Sequence, residues 1–135
     1  MSDSPLSIRA RRKYKAQIEA AARESHIAKF VRRMELAKAG VDSFKKKDYK
    51  SALTYYHTYL DALEKNKGGD LSPKSFDPKH DAAEMLMLTG VYWDLCKIYD
   101  KLSAKNNAKL KLYLAKFVLF SKGMTYQRLS QEMLR

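Results

Sequence analysis

Apolar positions recur at helical spacing through most of this chain, and the punctuation between them marks out the elements. Ser4 followed by Pro5 has the form of an N-cap with proline at the first helical position, and a helical pattern then runs to about Gly40. A second helix is predicted from about Tyr49 to Lys65, stopping at the Gly68-Gly69 pair. Asp77-Pro78 repeats the cap signal and opens a third helix to about Ser103. Asn106-Asn107 marks a turn, a fourth helix runs to Lys122 and Gly123 ends it. Thr125 is placed to cap a last short helix, and a chain that stops inside such a pattern has the form of a fragment of something longer. Gly68-Gly69-Asp70, Ser72-Pro73 and Asp77-Pro78 together make one long loop. The fold class is all-α, built from antiparallel helical hairpins.

The first segment carries two stripes. At 100° per residue, Tyr14, Ile18, Ala21 and Ser25 share one face, whereas Ile27, Phe30, Met34, Ala37 and Val41 share the opposite one. One straight helix cannot turn both toward a single core. Either the helix breaks near Ser25-His26, or its first half docks on something other than the main body. Four units follow: a basic amphipathic arm over 1–25, a helical hairpin over 26–66, a loop over 67–78, and a second hairpin with a C-terminal helix over 79–135.

Residues 34–61 resemble a tetratricopeptide (TPR) unit. Gly40, Phe44, Asp48, Tyr49, Ala52, Leu53, Tyr56 and Leu60 fall at the family's small, aromatic, turn and helix-B positions. Gly40 and Ala52 let two backbones approach, Tyr49 and Tyr56 fill the space left, and Asp48 caps helix B. Phe44 sits one place late, Tyr59 replaces a small residue, and Lys47 replaces the turn glycine. Gly90, Trp93 and Leu95, followed by Leu110, Tyr113, Leu114, Phe117 and Phe120, resemble a second, degenerate unit. The resemblance implies a right-handed α-solenoid fragment preceded by a long basic N-terminal helix. Two units are few for a solenoid, so a homodimer is one way to complete the core.

Charge changes the picture more than composition does. The 135 residues hold 27 Lys and Arg against 15 Asp and Glu, net +12. By position the balance is +6 over residues 1–40, +2 over 41–67, −2 over 68–84 and +6 over 85–135. Arg9, Arg11, Arg12, Lys13 and Lys15 concentrate it in the arm. No apolar run approaches the ~18 residues needed to span a bilayer. No apolar stretch follows the early charges as a signal peptide would require, although a transit peptide shares their Arg-rich composition. The single Cys96 cannot form an internal disulfide, and a cytoplasmic location is the default.

No catalytic constellation stands out. His26, His57 and His80 lie on different elements without partners at ligand spacing, so they read as surface or rim residues and no metal is expected. Cys96, at helical spacing from Tyr92 and Tyr99, reads as a core thiol. Gly68-Gly69 lacks the rest of a phosphate loop, and Asp77 with Asp81 suits capping. No enzyme activity and no cofactor are expected.

The leading expectation is a scaffold or adaptor for a protein or peptide segment that is acidic with an apolar anchor. The TPR resemblance implies that helix A lines the concave face, which places Met34, Ala37, Lys38, Val41, Phe44 and Lys45 there. Val41 stands where the carboxylate-clamp subclass has Asn, so a chaperone-tail partner is not implied. Two alternatives stand beside it: charge-driven nucleic-acid binding through the arm, and a self-assembling structural subunit that uses the Tyr14/Ile18 stripe.

Overall fold

A computed structural model of the chain describes residues 5–102 and 107–122. It contains helices α1 (Pro5–Lys45), α2 (Tyr49–Asn66), α3 (Ala82–Leu102) and α4 (Asn107–Ser121), with one short 3-10 turn at Pro73–Ser75. Among the described residues there is no strand, and neighbouring helices pair as antiparallel hairpins. The expected signals at Ser4, Asn106, Gly123 and Thr125 lie outside the described residues. The chain divides into two compact units, Met1–Glu35 and Leu36–Arg135, with the boundary inside α1.

α1 runs unbroken through Ser25-His26, which removes the first of the two alternatives, a break there. Helix continuity follows local propensity, and no Gly or Pro interrupts residues 6–39. The stripe changes while the backbone does not. Tyr14, Ile18, Ile27 and Val31 are all exposed.

The C-terminal unit is assembled around one notch. Tyr56 is fully buried and its ring lies against Gly40, where an added Cβ would overlap the ring carbons. The Tyr56 hydroxyl donates a 2.6 Å hydrogen bond to buried Asp94 on α3. One tyrosine therefore touches α1, α2 and α3. Tyr59, one turn on, is also fully buried and bonds Glu84 of α3 at 2.9 Å. Ala52 and Leu60 are buried beside these tyrosines on α2, Leu53 is half-buried, and Gly90 is buried in α3.

Aromatic rings join α3 to α4, the most extensive helix pair. Tyr99 and Tyr92 stack on Tyr113 at 5.7 and 6.1 Å, and half-buried Trp93 lies 4.9 Å from Phe117. Such pairs each contribute about 0.5–1.5 kcal/mol beyond simple burial. Phe76, in the long loop, is buried edge-on against Phe120 at 5.5 Å, which ties the loop to the same cluster.

The turns follow their chemistry. Asp48 caps α2 by accepting the Ser51 N–H at 3.2 Å. Gly68 and Gly69 have φ of 67° and 90°, a region that suits glycine, and they end the run after α2. α3 begins later than Asp77-Pro78 suggests. Asp77 instead accepts the Lys79 N–H at 2.9 Å in its own turn. Asp81 stands before α3, reaching back to the Asp77 N–H at 2.8 Å and pairing with Lys67 at 3.0 Å.

His57 is more than a rim residue. Its Nε2 lies 2.9 Å from the Tyr99 hydroxyl, beside Tyr113. Burial, with repulsion from Lys109, holds its pKa below the usual 6.5 against an opposing pull from Asp61. The unfolded chain thus takes up this proton at a higher pH than the folded one. The associated stability is full above about pH 6.5 and falls as the pH drops below it. Urea unfolding at pH 7.5 and 5.5 should show this loss, and His57→Gln should reduce it. An unchanged pH slope in the variant would contradict the assignment.

Candidate binding cleft

Where the α1–α2 turn meets α3, seven residues enclose a cleft of about 240 Å³: Val41, Phe44, Lys45, Lys47, Tyr49, Asp94 and Lys101. Three elements build it. α1 contributes Val41 and Phe44 from the helical face that also carries Gly40. α2 contributes Tyr49 at its first position, with its ring 5.8 Å edge-on to Phe44. α3 contributes Asp94 and, seven residues on, Lys101.

The cleft's charge is one-sided. Asp94 is 3% exposed; it accepts the Tyr56 hydroxyl through one oxygen and faces Lys97 at 3.9 Å through the other. Lys97 also stands over the rings of Phe44 and Trp93 at 5.3 and 5.8 Å. The only carboxylate among the lining residues is therefore already engaged. Lys45, Lys47 and Lys101 are exposed and make no ion pair among the described residues. An aromatic and aliphatic floor with a lysine rim suits a chain that offers an apolar side chain beside carboxylates.

Lys47 has an unusual backbone. Its φ of 63° places a side-chain-bearing residue in the left-handed region. It ends α1 as a Schellman-type cap, with Lys47 N–H to Phe44 C=O and Asp48 N–H to Ser43 C=O, both at 2.9 Å.

Of the residues expected on the concave face, Val41, Phe44 and Lys45 line the cleft. Lys38 is exposed but does not line it, and Met34 is half-buried and belongs to the N-terminal unit. Ala37 is fully buried, so it presents no surface to a partner. Lys47, Asp94, Lys97 and Lys101 were not foreseen as site residues. Only Lys47 carried a signal, because it occupies a turn position where glycine is expected. Arg9, Arg11, Arg12, Lys13 and Lys15 are all exposed on α1.

Two larger depressions each lie along one helix. One, of about 580 Å³, is lined by α2 and the glycine turn after it and includes Asp61 and Glu64. The other, of about 410 Å³, follows Leu114, Ala115, Val118 and Leu119 of α4 between Lys111 and Lys122. Neither joins side chains from separate helices as the lysine-rimmed cleft does.

Cys96 is buried, and desolvation pushes its thiol up to about 11. Among the described residues no three His, Cys, Asp or Glu side chains gather as a metal-binding group, and no helix is long and apolar enough to cross a membrane. No family model matches the chain, and no curated protein or solved structure shows significant similarity to it.

Lys47→Gly should relieve the left-handed strain and stabilise the fold by about 1 kcal/mol. A higher urea midpoint with an unchanged slope would match that expectation; a lower midpoint would contradict it.

Proposed function

We propose that the chain is a non-enzymatic adaptor whose cleft holds an acidic protein segment by one apolar side chain. The observation that carries this reading is the pairing of an apolar floor with three exposed lysines that make no ion pair among the described residues. Size supports it as well. At about 240 Å³ the cleft is smaller than the roughly 300–1,000 Å³ of sites that enclose whole small molecules. It suits one anchoring side chain, with flanking carboxylates left at the rim. The resemblance of residues 34–61 to a TPR unit points the same way, since helix A lines the binding face in that family.

Rim charges contribute mainly through long-range attraction and are screened by salt. The anchor contributes through burial, which salt leaves largely intact. A fluorescein-labelled peptide with one phenylalanine flanked by glutamates tests both parts by anisotropy. Lys45→Glu with Lys101→Glu should weaken its binding at least tenfold, equivalent to about 1.4 kcal/mol. Replacing the phenylalanine with serine should weaken it for the unaltered chain too. Equal affinity for the double variant, with helicity unchanged by circular dichroism, would refute the cleft as the site.

A further inference from the structure

We propose that residues 9–32 of α1 bind double-stranded DNA by lying in its major groove. This lies beyond the adaptor reading, because none of these residues lines the cleft. The stretch carries eight Lys and Arg side chains against Glu19 and Glu24, net +6, and all eight cations are exposed. Its remaining positions are rich in small residues, among them Ala10, Ala16, Ala20, Ala22 and Ala28.

The distribution of charge chooses between anionic partners. A membrane surface or a single partner helix meets a helix from one side and requires one apolar face with its charges opposite. Here Ile18 and Ile27 are nine residues apart, half a turn out of phase at 100° per residue. Both are exposed, at 67% and 60%. Arg9 and Lys15 are six residues apart and also point to different sides, so cations flank the helix all round. No single seam exists.

A groove with phosphates on both walls does match cations on several sides. The major groove of B-form DNA is about 12 Å wide and admits a helix about 10–12 Å across. Alanines keep the helix slim where it enters. Such contacts are made to phosphates, so binding is expected to depend weakly on sequence and steeply on salt.

The test uses the full chain and a fluorescein-labelled duplex of mixed sequence, about two turns long, followed by anisotropy between roughly 50 and 200 mM salt. Arg9→Glu with Lys13→Glu should weaken binding at least tenfold and reduce the salt slope by about two. Arg9→Gln with Lys13→Gln, which removes the charges without reversing them, should give a smaller loss in the same direction. Lys74→Glu with Lys79→Glu makes the same change in net charge in the exposed loop and should shift affinity less than threefold. Equal losses from the arm and loop pairs would overturn the inference, since net charge alone would then explain binding. Failure of the duplex to bind at the lowest salt, or capture of the chain by phosphatidylserine vesicles in its place, would overturn it as well.

Discussion

The contact of the Tyr56 ring with the α-carbon of Gly40 is the constraint on which the C-terminal unit depends. A side chain at position 40 would occupy the space of the ring. With the ring seated there, its hydroxyl reaches Asp94 across to α3. The joint gives a buried carboxylate a hydrogen bond, which lowers the cost of holding its charge away from water. Packing and polar satisfaction are met by the same side chain.

That joint reaches the cleft through Asp94. One oxygen of its carboxylate is held by Tyr56 and the other faces Lys97, so Asp94 leaves Lys45, Lys47 and Lys101 to set the rim. Were Asp94 unengaged, it would offset part of the lysine field. The Tyr56 hydrogen bond orients Asp94 without removing its charge, and Lys97, 3.9 Å away, is the cation that offsets it. The strained turn fits the same picture. A lysine in the left-handed region is less favourable than glycine would be, and its charge stands at the mouth of the cleft.

Helix content was legible in the sequence because propensity, cap and apolar spacing agree over α2. The Gly40 notch was legible through the resemblance of residues 34–61 to a TPR unit, which sets a small residue at 40 against an aromatic at 56. The change of stripe at Ser25-His26 left a break as one of two alternatives because stripe phase reports what a helix packs against, whereas continuity reports local backbone preference. The late start of α3 has a similar origin: Asp77 closes its own turn, and a cap signal does not reveal which of two aspartates the helix will begin beside. Phe76 was hidden in a loop with polar and turn-forming neighbours, although its ring is buried. Lys101 could not be linked to Lys45 by any periodicity, since only the packing of α3 brings them to one cleft. The partnership of His57 with Tyr99 was equally out of reach, because it joins side chains 42 residues apart.

The most direct measurement is the sign of the stability change for Gly40→Ala in urea unfolding. Intrinsic helix preference alone would make alanine more stable than glycine by roughly 1 kcal/mol. The close approach of Tyr56 predicts the reverse, a loss of about 1–3 kcal/mol from overpacking a filled core. A Gly40→Ala protein as stable as the original, or more so, would show that the ring is not seated against α1 and would contradict the account.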